Sequence, residues 1–563
     1  MPALVSKKFR IHNAKQFVEA FDEDKGYSTF ANTSDPGDTS LETNMYLFIG
    51  GISAFSDDTN PPTPTDSVAN SYFSNWRDMI AAKKITSSDV SHCITRRNWA
   101  NDTPYFAYTH ANNALYDQSF YVMTDEYNVY KCLANNASNG NSEAKPTGTG
   151  TAIITPGSDG YKWKFMYTIS ATKALKFVTN SYIPVQQIRH ANAAGSTGST
   201  GMPTSNQETE KQHAVEVAAT NGQLNIINVT GAGSNYDYVS STLGLGQLGH
   251  THTPTSIKLH STASTQNDHY NGYSIYFTDG NAANDLKLIT DYDGTTKIAT
   301  VETLSGTPSD GDAFTIAPTV TISGDGTGAS ARAVGAGGSL TSVAVLAAGS
   351  GYSNAVITIA GNTSSSPTPT APTATAIIEP YNGHGYDAVK ELGGYNVIVN
   401  TRLENTEGGA FTVANDFRKI GLLAQPETSA GAVATATTYD QAVTIKLQTF
   451  AGNAPTADQL ITGAQSGATA RVIDYTSANT TLRVCSVTHG SNTASGYDGA
   501  GSWQTGGDGE AITFDGGGTT ANTSVVTAGA LKPFSGDILY TENRSPVSRA
   551  SDQIEDVKLI VNF

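Results

Sequence analysis

His250 and His252 are the first residues whose spacing suggests chemistry, because alternate positions on a strand can converge on one metal ion. Their setting, Gly-Gln-Leu-Gly-His-Thr-His-Thr-Pro, reads as a polar connection with no third ligand at useful spacing. Asp291, Asp293 and Gly294 resemble fragments of an acidic turn, but the calcium-loop spacing with a later bidentate glutamate is missing. The run Gly324, Gly326, Gly328 is followed by strand-like Ala-Ser-Ala-Arg-Ala-Val, so no helix opens there to receive a pyrophosphate. Ser234 and Ser350 lie in glycine turns without the G-x-S-x-G context of a nucleophile elbow. His384 is flanked by Gly383 and Gly385, which points first to a constrained turn. Arg96, Arg97 and Trp99 are the more informative group. Neighbouring arginines can grip carboxylates with two bonds each, and a tryptophan supplies a large apolar anchor for an interface or a core.

The wider sequence restricts the class of function. Against 33 Lys and Arg stand 50 Asp and Glu, a formal charge of -17, which disfavours a broad phosphate-reading surface. No nucleic-acid partner is expected. Cys93, Cys132 and Cys485 cannot all pair with one another and form no CxxC, so neither a disulfide framework nor a structural zinc site is expected, and no cofactor is implied. The opening MPALVSKKFR lacks the apolar run of a secretory signal, and the apolar stretches Ile49 to Ala54 and Val343 to Ala348 are too short to cross a bilayer as a helix.

Several elements are predicted from pattern. Asn13 caps a helix with Gln16 three residues on, and Phe17 and Phe21 share its face. Met45 to Ile49, stopped by Gly50-Gly51, reads as a buried strand. After Pro61 to Pro64, a helix capped by Thr65 or Ser67 presents Tyr72, Trp76 and Ile80 to the sheet carrying Met45 to Ile49. Tyr161, Trp163, Phe165, Tyr167 and Ile169 alternate with Lys162, Lys164, Met166 and Thr168, the period of a half-buried strand entered from the turn Asp159-Gly160. At the other end Val557, Leu559, Val561 and Phe563 form one face of a terminal strand.

Sequence texture changes near residues 186, 380, 428 and 530. Residues 186–380 and 429–528 are built largely from Ala, Gly, Thr, Ser, Val and Ile. The expected fold is an α+β platform interrupted by β-rich insertions, multidomain and predominantly β. Its expected division is platform 1–185, a β-rich insertion 186–380 with glycine-turn repeats, platform 381–428, a small β-rich insertion 429–528, and C-terminal platform strands 529–563. Replacing 429–528 by a linker is expected to leave the platform folded. Leu224 to Tyr236 resembles Leu340 to Tyr352 as a strand, a glycine turn and a tyrosine, with Gly349 and Gly351 as turn glycines. Val320 to Val334 reads as two short strands about the turn at Gly324 and Gly326, and Ile461 to Ile473 repeats the idea before Thr481 to Val484. Asn362 to Pro372 reads as an exposed loop.

Ordered motifs then carry a resemblance. Ser6-Lys-Lys-Phe-Arg10, Pro61-Pro-Thr-Pro-Thr-Asp-Ser-Val68, Arg96-Arg-Asn-Trp99, Tyr127-Asn-Val-Tyr-Lys-Cys-Leu133 and Asp159-Gly-Tyr-Lys-Trp163 come first. Asn415-Asp-Phe-Arg-Lys-Ile-Gly-Leu-Leu423 with Pro426, Gly536-Asp-Ile-Leu-Tyr540, Glu542-Asn-Arg544, Pro546 and Asp552-Gln553 follow. The chain resembles the baseplate wedge subunit, product of gene eight, of T4-like contractile-tailed bacteriophages, over 6–183, 381–427 and 532–563. The resemblance implies a noncatalytic structural protein of the virion tail baseplate, assembled in the host cytoplasm, forming a homodimer and joining other wedge proteins around a hub. It adds Arg418, Glu542, Asn543 and Arg544 to Arg96, Arg97 and Trp99 as candidate interface or core anchors. Two other readings of the Thr/Gly-rich segments are a peripheral adhesin binding host polysaccharide and a tail-associated glycan hydrolase using a carboxylate pair.

Overall fold

A computed structural model describes residues 4–21, 44–67, 70–135, 140–188, 207–244, 250–362, 368–404, 407–488, 490, 503–505 and 507–563. It is predominantly β, with several sheets and a closed barrel. Two compact units emerge. One comprises Met1–Ile94, Leu175–Val185 and Gly394–Phe563, and the other Thr95–Ala174 and Gln186–Gly393.

The first unit is built on a five-stranded antiparallel sheet in the order Thr438–Asp440, Met79–Ile85, Met45–Gly50, Phe417–Ala424, Asp537–Val547. Its central strand is buried on both faces, which is why Met45 to Ile49 reads as an unbroken apolar run. Leu47 and Ile49 join a core with Val397, Val399, Leu403 and Leu559. Tyr46 and Phe48 turn the other way, onto Trp76. Those core partners belong to a four-stranded sheet, Ile554–Asn562, Asn396–Glu404, Val90–Thr95, Tyr182–Val185, in which the C-terminal strand is held along Asn396–Glu404. The barrel strands run in the order Val443–Gly452, Thr481–Cys485, Thr469–Thr476, Leu460–Gly463, Ala511–Phe514, Thr519–Thr527.

Two local expectations are corrected here. Helix Lys7–Glu19 starts seven residues earlier than a cap at Asn13 would allow. Ser6 caps it, its hydroxyl accepting the Phe9 amide at 3.3 Å, and Asn13 lies inside. The Phe17–Phe21 face does form, with ring centroids 5.2 Å apart, and Phe17 also packs on Phe563. Helix Asn70–Asp78 does place Tyr72 and Trp76 on the sheet, but it ends before Ile80. Met79 already pairs with Gly50, so Ile80 becomes a strand residue facing the other core.

The second unit holds the sheet Tyr121–Met123, Asn128–Asn135, Tyr161–Thr168, Ile153–Ile154. Tyr161–Thr168 is a strand entered from Gly160 at φ +80°, as the alternation predicts, but it is not half-buried. Lys164 and Met166 are buried too. The Lys164 stem is long enough to carry its ammonium to the Thr151 carbonyl, so a lysine occupies an interior position. Val215 of helix Gln207–Ala218 packs into the cluster of Tyr161, Trp163 and Phe165. That helix lies in a segment read as β-rich.

A seven-stranded sheet follows the order Val239–Thr242, Ala313–Gly324, Tyr273–Phe277, Leu286–Asp293, Ile298–Val301, Ser256–Lys258, with Ala355–Ala360 also on Ala313–Gly324. The two strands about Gly324 and Gly326 exist but are not partners. Ala313–Gly324 pairs with Ala355–Ala360, and Thr327–Ala336 with Ser339–Ser350. The Asp325 carboxylate accepts the Ser353 and Asn354 amides, both at 2.9 Å, and so turns the chain between two layers. Within the Asn362 to Pro372 loop, 363–367 lie outside the described residues, as do 245–249 beside His250.

Candidate functional site

The anchor residues fall into two groups, one in each unit. Arg418 lies on the strand Phe417–Ala424 with only 7% of its surface exposed. Its Nε and Nη2 donate to the two oxygens of Asp58 at 2.9 and 2.8 Å, and Nη1 donates to the Ile52 carbonyl at 2.9 Å. This two-bond geometry holds the Asp58 carboxyl below its ordinary range. Arg418 thus ties the loop after Gly51 to the sheet. Further along, the edge strand Asp537–Val547 carries the other three. Glu542 accepts from Tyr540 Oη at 2.7 Å and from Arg544, and Arg544 Nη2 donates to the Lys558 carbonyl at 3.1 Å. Asn543 Nδ2 donates to the Pro62 carbonyl at 2.8 Å. The Asn543–Pro62 contact joins two segments distant in sequence that carry resemblance motifs, and the others are local to the C-terminal strands.

In the second unit Arg96 Nε donates to Asn98 at 3.0 Å, while Arg97 donates to Ser119 Oγ at 2.7 Å and lies 5.6 Å from the Tyr121 ring centre. Trp99 donates to Ser142 Oγ at 3.3 Å and packs against the cluster that includes Tyr105, Val122 and Trp163. All three are half-buried. Tyr161, Trp163, Phe165 and Tyr167 lie fully inside.

Sequence reasoning missed a buried ionic cluster. Lys131 Nζ donates to Glu391 Oε2 at 2.7 Å and to His384 Nδ1 at 2.8 Å, and sits 4.2 Å from the Tyr108 ring centre. Gly383 and Gly385, at φ +94° and +92°, bend the chain so that His384 reaches inward. Glu391 Oε1 accepts the Gly385 amide at 2.8 Å. Burial and then the Lys131 charge lower the His384 pKa, which favours an imidazole that accepts the Lys131 hydrogen bond. Burial pulls the Lys131 pKa down while Glu391 opposes it. The three groups have no exposed face for a substrate, so the cluster holds the turn of His384 against the strand Asn128–Asn135. No periodicity marks such a pairing, because the partners lie 253 and 260 residues apart.

The residues weighed for chemistry make the following contacts. His252 Nδ1 accepts the Lys258 amide at 3.2 Å and its Nε2 meets Asp310 at 2.8 Å. His250 stacks edge-on to His252. Asp293 accepts the Thr295 amide at 2.8 Å, and the Gly294 amide donates to Asn267 at 2.9 Å, as in a turn. The Ser234 amide donates to the Thr370 carbonyl at 3.1 Å, while Ser350 ends a strand. Among the described residues no group of three His, Cys, Asp or Glu could hold a metal. The three cysteines are buried and free, and burial raises each thiol pKa. An open groove of about 530 Å³ in the first unit runs between Pro64, Ser67, Tyr72 and Asn75 on one side and Leu539 and Thr541 on the other. Its lining comes from the two resemblance segments and carries hydroxyls and amides, with Asp66 as its one carboxylate. No described helix is long and apolar enough to cross a membrane.

Charged groups here tie strands and loops together. Residues 122–196 match the family model described as Bacteriophage T4, Gp8. The match covers the strands Asn128–Asn135 and Tyr161–Thr168 and supports the resemblance to a T4-like baseplate wedge subunit, a structural protein of the phage tail. No curated protein matches the chain.

Proposed function

We propose that the chain is a structural subunit of a contractile-tail baseplate wedge. It joins neighbouring wedge proteins as a homodimer and helps to couple baseplate rearrangement to sheath contraction. The observation that carries this reading is the family match over 122–196, which falls on the aromatic strand Tyr161–Thr168. Physically, such a role needs rigid units and large complementary surfaces rather than a reaction pocket. The buried ties of Arg418 and Lys131 supply that rigidity. Arg96, Arg97 and the strand of Glu542, Asn543 and Arg544 retain partly exposed surface through which partners can be specified. On this reading the protein belongs to the virion tail and is assembled in the host cytoplasm.

Cryo-electron microscopy of particles or reconstituted wedges tests the proposal. The expected result is density for two copies of the chain in each wedge. Light scattering of the purified protein should give twice 58.9 kDa. Glycan-array binding by the full chain, with no incorporation into wedges, would replace this reading with the adhesin.

A further inference from the structure

Two segments of the second unit hydrogen-bond to each other reciprocally. The Leu224 amide donates to the Ala348 carbonyl at 2.9 Å, and the Leu340 amide to the Ala232 carbonyl at 2.8 Å. The Tyr352 amide donates to Gly222, and the Tyr236 amide to Gly338, both at 3.1 Å. Gly222 corresponds to Gly338, Leu224 to Leu340, Ala232 to Ala348 and Tyr236 to Tyr352, all at one constant spacing. Exchanging the segments therefore converts each bond into its counterpart, as a local two-fold axis requires. Backbone conformation follows the same rule. Gly233 and Gly349 both have φ +64°, and Asn235 at +62° matches Gly351 at +78°.

The strands that follow keep the correspondence. Ile226–Gly231 pairs with Thr373–Ile377, placing Val229 opposite Ala374, and Ser339–Ser350 pairs with Thr327–Ala336, placing Val345 opposite Ala331. The outer strands align as Thr327-Gly-Ala-Ser-Ala-Arg-Ala-Val334 and Thr370-Ala-Pro-Thr-Ala-Thr-Ala-Ile377. Val320-Thr-Ile-Ser-Gly324 aligns with Ile357-Thr-Ile-Ala-Gly361, and these two strands pair across the axis, Val320 with Ile359 and Ile322 with Ile357. Each copy's first strand thus pairs with the other copy's last strand. One shared core, including Ile227, Ala331, Leu340, Val343 and Ile359, results.

One connection differs greatly between the copies. Tyr352 reaches its next strand through Ser353-Asn354, whereas Tyr236 does so through 237–317. That long run is tied off at its base, where Val239–Thr242 pairs with Ala313–Gly324 and Val239 stands opposite Ile316. It has a core of its own, with Ile257, Ile275, Phe277, Ile289 and Tyr292. We infer that residues 222–378 are two interlocked copies of one three-strand repeat, and that residues 237–317 are a separate module mounted in a turn of the first copy. Because its ends already lie side by side, the module adds little closure cost to the repeats. It can carry a binding surface of its own without altering the mount. This inference is independent of the baseplate reading.

The test replaces 237–317 in the full chain by Ser-Asn, the turn of the second copy. Hydrogen exchange should leave Leu224 and Leu340 protected within about threefold of the parent chain, and a loss of about a hundredfold at either would overturn the inference. Native-state exchange of the intact chain in rising denaturant gives a reading that needs no deletion. Residues 224–231 and 340–350 should open as one group, and 256–301 as another. A single common opening of all three, or separate openings of the first two, would equally refute it.

Discussion

The barrel of residues 443–527 and the module of residues 237–317 share a texture of small and β-branched residues, yet they are attached in opposite ways. Ile473 and Cys485 of the barrel are buried in the same core as Leu47, Val399 and Leu559 of the sheets. Arg483 pairs with Asp474 and reaches out of the barrel to Asp440, and Asn415 donates to Asp458 at 2.8 Å. The module instead keeps most of its apolar side chains in a cluster of its own, which meets that of its mount at Tyr236, Tyr238 and Ala317. Composition therefore reports that a segment is a β module, and the shared side chains decide whether its host can do without it.

The largest expected effect comes from excising the barrel. The buried Ile473 side chain lost from the platform core is worth about 2–5 kcal/mol, and Cys485 adds to it, against a total stability of about 5–15 kcal/mol for a typical domain. Replacing 443–527 by a short glycine-serine linker should therefore leave the first unit largely unfolded by circular dichroism. Residues 429–442 make this sharper, because Ala434 lies in the core of Trp76 and Thr438–Asp440 is an edge strand of the sheet. Replacing 429–528, which the sequence alone presents as harmless, should be worse still. A soluble platform after either excision would show that the barrel is as separable as the module.

A matched pair of point substitutions asks the same question with less damage. Ile473→Ala in the barrel and Ile289→Ala in the module both empty fully buried positions, at about 2–5 kcal/mol each. With Ile473→Ala, exchange should accelerate both in the barrel and at Leu47 and Val399. With Ile289→Ala it should accelerate in 237–317 while Leu224 and Leu340 keep their protection. Acceleration confined to the barrel in the first variant would dissolve the contrast.

Acid should also probe the barrel. Glu510 is buried in the barrel, where burial pushes its pKa up but the amides of Gln504, Ser466 and Gln465 outweigh that and hold it below the ordinary range. A depressed carboxyl contributes stability above its unfolded pKa of about 4.3 and loses it as pH falls through the lower folded value. The barrel's denaturation midpoint should therefore fall on acidification below about pH 5, and Glu510→Gln should flatten that dependence while lowering stability at neutral pH. An unchanged slope in the variant would remove Glu510 as its source.

What the sequence made legible was local. Met45–Gly50, Tyr161–Thr168, the hairpin of Leu460–Gly463 with Thr469–Thr476, and the C-terminal strand each announce themselves through apolar runs or alternation over a few residues. Where two local signals competed, packing decided. Ser6 took the cap that Asn13 also offered, and pairing with Met45–Gly50 ended the second helix before Ile80. The ties that fix the anchors were not legible, since Arg418 meets Asp58 across 360 residues and Lys131 meets Glu391 across 260. The resemblance of Leu224–Tyr236 to Leu340–Tyr352 was visible, but only the reciprocal bonds show that the copies exchange strands.

The smallest expected effect is the most discriminating. Gly272 in the module and Gly516 in the barrel have φ +80° and +88°, and a methyl group added to either would meet open space. Alanine at either site therefore costs little beyond its left-handed backbone, about 1–2 kcal/mol, with no clash to confuse the comparison. The local penalties are equal, so any difference in how far they spread reflects attachment alone. Gly272→Ala should lower the denaturant at which 256–301 opens and leave 224–231 and 340–350 as they were. Gly516→Ala should lower the opening of the barrel and, through Ile473 and Cys485, that of Leu47 and Val399 by a similar amount. If both variants show only local change, the buried contacts of the barrel do not couple it to the sheets, and the distinction between a shared core and a mounted module fails.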